Sequence, residues 1–156
     1  MANKVPAVNE AKAKKIFLDA QKNCFAAGLT TIDDCGLDYE AVEFIEKLQA
    51  DKSLKMRLYV MLSDNEKNFD YLFKRGAIKT DRLSVRAFKV YADGALGSRG
   101  ACLLQPYSDR AGHVGFLLSK PDHFDSVAAL LYEKDFQMCT HAIGDSGNRT
   151  ILNTYA

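Results

Sequence analysis

The sequence predicts an α/β fold in which about four parallel strands alternate with helices, forming part of a (βα)8 TIM barrel. Three observations predict it. Helical and strand-like periodicities alternate along the 156 residues, with no internal repeat, low-complexity tract or linker. Each central strand pairs an apolar face with a mixed polar one. A lysine and a histidine then stand at the ends of two successive strands.

Taken in order, residues 9–27 place Ile16, Phe17, Ala20, Cys24 and Ala27 at helical spacing, with Gly28 as the stop. Residues 29–35 form a short β-branched run and read as a strand. Ala41, Val42, Ile45 and Leu48 share one face of a helix over 38–50. Residues 54–62 read as the second strand. Asp64 is a candidate cap for a helix near 65–75, which stops at Gly76. The third strand is expected at 85–92, a long aperiodic segment at 93–120, and a helix at 121–134. A fourth strand at 136–142 leads into a final helix beginning around 145–148.

Length favours an open doubly wound sheet, because a whole barrel needs about 250 residues. Strand patterning favours a barrel. In the third strand Arg86, Phe88, Val90 and Ala92 oppose Val85, Ala87, Lys89 and Tyr91. In the fourth, Phe136, Met138, Thr140 and Ala142 oppose Gln137, Cys139 and His141. An open sheet with helices on both sides is apolar on both faces. A mixed second face suits a barrel interior near its catalytic mouth.

Composition narrows the function. A net charge of +1, with 47% hydrophobic and 26% charged residues, gives no reason to expect nucleic acid or an anionic membrane as partner. No apolar stretch reaches the roughly 18–20 residues that span a bilayer. The N-terminus has charge but no apolar central region. The chain is therefore expected in the cytoplasm, unless a signal precedes it. Cys24, Cys35, Cys102 and Cys139 form no C-x-x-C pair and are expected as reduced, mostly buried thiols.

Lys89 and His141 are the candidate chemical groups. A lysine facing an enclosed space must be paired, modified or functional, because a bare buried ammonium is costly. It can pair with Asp33, Asp34 or Asp93. It can form a Schiff base with a carbonyl substrate, or take up carbon dioxide and bind metal as a carbamate. His141 ends its strand where barrel enzymes hold ligands. Adjacent strands lie about 4.8 Å apart, so both side chains can reach one ion, and imidazole with a carboxylate-type oxygen suits zinc. Gly94, Gly97 and Gly100 resemble a phosphate cradle only weakly, because no helix opens after them. They fit a shaped loop over the barrel mouth better, with Tyr107, Arg110 and His113 in the same segment. Arg99 is a candidate carboxylate clamp or a surface residue. The run 144–148 resembles a trypsin-like nucleophile motif, but no all-β pattern supports it, and Asp145 and Ser146 read as helix caps. His113 and His123 read as loop or surface residues.

The run from Phe88 to Arg99, the run Gln105-Pro106-Tyr107-Ser108-Asp109, Gly115, and the run from Thr140 to Asp145 together resemble the YtcJ-like branch of the amidohydrolase superfamily. That branch includes N-substituted formamide deformylases. The run from Gly28 to Asp34 resembles its second barrel strand. The resemblance implies a (βα)8 barrel that hydrolyses C–N bonds in small amide-type substrates with one or two divalent metals, zinc foremost. It implies metal ligation by Lys89, as the lysine that can be carboxylated, and by His141. Asp93, Gly94 and Arg99 become the substrate-binding candidates. The family's first-strand His-x-His pair has no counterpart, since the histidines are His113, His123 and His141. Nor do the sixth-strand histidine and the eighth-strand aspartate. The chain therefore reads as a fragment covering about barrel strands two to five, with no complete catalytic set and no activity expected alone. A Schiff-base lyase using Lys89 and a non-catalytic half-barrel remnant or binding module are the alternatives. The strands at 29–35 and 136–142 would be open sheet edges, so a homo-oligomer is expected.

Overall fold

The computed structural model describes residues 8–156; part of the N-terminal stretch inspected for a signal lies outside them. The elements run α1 (Glu10–Ala26), β1 (Thr31–Leu37), α2 (Tyr39–Ala50), β2 (Arg57–Ser63), α3 (Glu66–Arg75), β3 (Ile78–Lys79), β4 (Leu83–Tyr91), α4 (Pro121–Glu133), β5 (Gln137–His141) and α5 (Asp145–Tyr155). Among the described residues no helix is long and apolar enough to cross a membrane.

β1, β2, β4 and β5 are parallel and lie side by side in chain order. Strand order does not reverse, as it does in a doubly wound sheet. The sheet is an unclosed arc of a (βα)8 barrel. The short β3 pairs antiparallel with the start of β4, Ile78 opposite Val85. Sequence periodicity missed it, because two residues carry no period. The local signal was the polar turn that follows, in which Thr80 Oγ1 accepts from the Arg82 and Leu83 amides.

One core lies between the sheet and its helices. Val42, Ile45 and Leu48 of α2, Leu72 of α3, and Phe124, Val127 and Leu131 of α4 meet Val60, Leu62, Val85, Phe88 and Val90 of the strands. Phe88 is fully buried and touches the rings of Phe69, Phe73 and Phe136 at centroid distances of 4.8–5.8 Å. Val85 belongs to this core and not to the face of Lys89, which corrects the strict alternation read from the sequence. The β2–β4 register slips between Val60↔Val85 and Met61↔Ala87, so Arg86 is an extra residue, and the bulge reverses the faces of β4. Beyond it Phe88 and Val90 are buried, while Lys89 and Tyr91 look out on the open face.

Caps set the helix ends. Asn9 accepts from the Lys12 amide, and Asn65, not Asp64, caps α3 by accepting from Asn68. Gly76, at φ 81°, ends α3. Asn68 is wholly buried and joins the β1–α2 and β2–α3 connections: its amide donates to Ser63 O and Asp38 Oδ1, and its oxygen accepts from Tyr39. The Arg75 guanidinium grips Glu46 with two bonds of 2.7–2.8 Å and ties α3 to α2.

α1 buries no residue fully; Phe17 and Cys24 pack against the core, and side-chain tethers add to their hold. Gln21 Oε1 accepts from Met56 N at 3.0 Å, and Lys14 Nζ donates to Asp51 at 2.8 Å. Lys14, with the Ser53 hydroxyl and amide, pushes the Asp51 carboxyl down from 3.8 to about 2. A depressed folded-state value means that this tether is present above the ordinary carboxylate range and is lost as pH falls towards about 2. The Ser53 amide resonance should therefore titrate with a midpoint near 2. In Lys14→Ala the midpoint should rise. A wild-type midpoint at the ordinary value would remove the tether.

Candidate functional site

The site is built at the C-terminal ends of β4 and β5. Strand alternation beyond the Arg86 bulge turns Lys89 and Tyr91 to the open face, where Cys139 and His141 also project. Lys89 pairs with Cys139, and Tyr91 with His141. Lys89 and His141 thus share a face but stand two residues out of register, about 8 Å apart along the diagonal by strand geometry.

Lys89 makes none of the salt bridges that the sequence allowed. Its Nζ lies 4.9 Å from the centre of the Tyr91 ring, a cation–π contact. The His141 ring lies 5.6 Å from the same ring, and His141 Nε2 is 4.0 Å from Asp93 Oδ1. Burial pushes the Cys139 thiol up, partly opposed by the charge of Lys89, so Cys139 is no ready thiolate nucleophile. None of the four cysteines is disulfide-bonded, but the expectation that they are mostly buried fails. Cys35 is exposed and the other three are half-buried.

Asp93 is 1% exposed and spends its carboxylate on the backbone. Oδ2 accepts from the amides of Cys102 and Gly144, both at 2.8 Å, and Oδ1 accepts from Ile143 at 2.9 Å. It thereby staples the 93–120 segment to the β5–α5 turn directly after His141. The packing leaves no room for side chains. A Cβ on Gly147 would lie 2.7 Å from Asp93 Oδ2, and one on Gly144 would lie 1.9 Å from Cys102 O. Gly94 is pressed against Gly100, with its amide donating to Gly100 O at 3.1 Å. No phosphate cradle opens there.

Arg99 sits at φ 57° and holds Asp109 with two bonds, Nε to Oδ1 at 3.2 Å and Nη2 to Oδ2 at 2.8 Å. That pairing lowers the Asp109 carboxyl and raises the Arg99 guanidinium. His113 contacts Arg99 O at 2.8 Å, and His123 pairs with Asp64 at 2.9 Å. Asp145 does not cap α5 as expected. It begins the helix, and its Oδ1 accepts from Leu104. The structure thus puts Lys89 and His141 on the same open face, with Asp93 beside His141 and Gly94 and Arg99 tied into the loop. Sequence reasoning passed over Tyr91, whose only signal was sharing the face of Lys89.

Imidazole nitrogen suits a divalent metal, and lysine becomes a donor once its amine is neutral or carbamylated. These two donors fit one side of such a site. Among the described residues no group of three or more His, Cys, Asp or Glu side chains could complete it.

The sequence profile of the Amidohydrolase family matches residues 1–156. The chain belongs to that family. It is 26% identical over 154 residues to the Putative amidohydrolase YtcJ of Bacillus subtilis (strain 168), covering 96% of this chain and 29% of that protein. It is 26% identical over 149 residues to Protein LONG AFTER FAR-RED 3 of Arabidopsis thaliana, covering 87% of this chain and 25% of that protein. An uncharacterized metal-dependent hydrolase from Pyrococcus furiosus superposes with a TM-score of 0.86 at 25% identity, over 99% of this chain and 32% of the other. The chain thus spans between a quarter and a third of the length of these relatives, as an arc of a larger barrel domain.

The Asp93 staple predicts a measurable cost. Asp93→Ala leaves one buried and two part-buried amides without an acceptor and should lower stability by about 2–3 kcal/mol in urea unfolding. Limited proteolysis should then cut first within 93–120. Asp93→Asn, which keeps one acceptor oxygen, should fall between. Wild-type stability in Asp93→Ala would mean that the staple carries no weight.

Proposed function

We propose that this chain forms one wall of the active site of a metal-dependent amidohydrolase that cleaves C–N bonds in small amide-type substrates. The observation that carries the reading is the placement of Lys89 and His141 on one open face at the C-terminal ends of adjacent parallel strands. That is where barrel enzymes act. Family membership and the metal-dependent relative support it. Bound there, a divalent cation such as zinc supplies Lewis acidity at the carbonyl.

This chain's own part is to hold one side of that cation with His141 and with Lys89, the latter as a carbamate. Asp93 fixes the backbone beside His141, and Gly94 and Arg99 shape the loop at the substrate side. With two candidate donors and no assigned general base, the chain alone does not hydrolyse amides. The unpaired edges of β1 and β5 support association with a further copy of the chain. The near-neutral charge supports a small-molecule substrate over a nucleic-acid partner.

The test is a chimera in which this chain replaces the matching segment of the Bacillus subtilis relative. It should take up zinc and hydrolyse an N-substituted formamide. Lys89→Ala and His141→Ala should each lower bound metal, by elemental analysis, and cut turnover at least about 100-fold. Full turnover in both variants would overturn the reading. Borohydride trapping of Lys89 with a small aldehyde would favour Schiff-base chemistry instead.

A further inference from the structure

Tyr91 is an aromatic side chain beside the site that the core does not explain. It is 42% exposed and stands outside the apolar cluster, yet it is held on three sides. The Lys89 amine lies over its ring at 4.9 Å. The His141 ring lies 5.6 Å away, with planes inclined by 45°. Its hydroxyl reaches across the sheet and donates to Cys35 O at 3.2 Å. Tyr91 and His141 are direct register partners, so the aromatic contact follows from the β4–β5 pairing itself.

The hydroxyl lies beside Gly36. This residue adopts φ +117°, and a Cβ there would lie 3.4 Å from Tyr91 Oη and 3.8 Å from Lys89 Cγ. Glycine is favoured at this position by its conformation. A lysine on an open face ordinarily samples many rotamers. Here an aromatic face, itself anchored at its far end, selects one region for the amine and flanks the imidazole.

We propose that Tyr91 is a positioning residue that holds the Lys89 amine, before it is carbamylated, and the His141 imidazole in one preset arrangement on this wall. The proposal rests on the reading of Lys89 and His141 as the working groups of the wall. The ring does the holding, and the Cys35 tether holds the ring. Tyr91 touches neither metal nor substrate in this account.

The test is nuclear magnetic resonance on the labelled 156-residue chain as wild type, Tyr91→Phe and Tyr91→Leu. In wild type the Lys89 ε-methylene protons should lie upfield of those of the other lysines. Cross-relaxation should connect the Tyr91 ring to both Lys89 and His141, and His141 should show a single χ1 rotamer. Tyr91→Phe keeps the ring and should keep both connections, with the upfield displacement reduced by loss of the tether. Tyr91→Leu should bring the Lys89 signals to those of the other lysines and average the His141 rotamer, while the Val60 and Leu72 methyl signals stay in place. A merely structural role would instead move those core methyls and leave Lys89 unaffected. The proposal is overturned if wild type lacks the ring connections, or if Lys89 and His141 are unchanged in Tyr91→Leu. Should Tyr91→Leu fail to fold, the wild-type connections and their survival in Tyr91→Phe decide the matter alone. No hydrolysis enters these measurements, so they can fail while the amidohydrolase reading stands, and the reverse.

Discussion

The arrangement at the strand ends depends on one buried carboxylate. The connection from β4 to α4 runs through about thirty residues without a helix or long strand, and such a loop has many backbone groups to satisfy. Asp93 satisfies one of them, the Cys102 amide, together with the Ile143 and Gly144 amides of the β5–α5 turn, and so joins two different connections. A carboxylate is suited to this because it is a pure acceptor with room for several donors. The glycines at 144 and 147 follow from it, since backbone must come close enough for the bonds to form. The cost is that this carboxylate is filled and enclosed. It can steady the peptide after His141, but its oxygens are already bonded to the chain.

That explains why parts of the fold were legible in the sequence and parts were not. Helices and parallel strands announce themselves because side-chain burial repeats with the backbone period. The Val42, Ile45 and Leu48 face of α2 is of this kind, as is the Phe17 and Cys24 spacing of α1, whereas Ile16 turns out exposed. The bulge at Arg86 was invisible because it is a property of a pair of strands. Val85 alternates correctly with Lys89 along its own chain, and only the slip against β2 moves it to the other face. Asn68 was missed for a similar reason: it sits on a helix, but its partners lie on two loops preceding that helix.

The site divides along the same line. Lys89 and His141 could be placed on one face from alternation alone, since both lie beyond the bulge. The bonds of Asp93 and the pairing of Arg99 with Asp109 join residues nine to fifty-one positions apart through loop conformation, which no period encodes. A charged residue beside a glycine-rich loop is equally consistent with holding a ligand and with holding the loop. For Arg99 the positive φ and the two bonds to Asp109 show how the loop uses it.

The open face also explains why the lysine has no carboxylate partner. The helices cover only one side of the sheet, so β4 must present polar groups on the other, and the nearest buried carboxylate is already committed to backbone amides. What remains beside Lys89 is the face of Tyr91, a partner that attracts a cation without neutralising it. Such contacts are weaker than a buried ion pair and leave the amine able to change partner. A salt bridge to Asp93 would have fixed Lys89 more firmly, but it would have broken the staple behind His141. The sequence separates the two tasks, giving the carboxylate to the backbone and the aromatic ring to the lysine. Both strand ends are thereby held without tying up the amine.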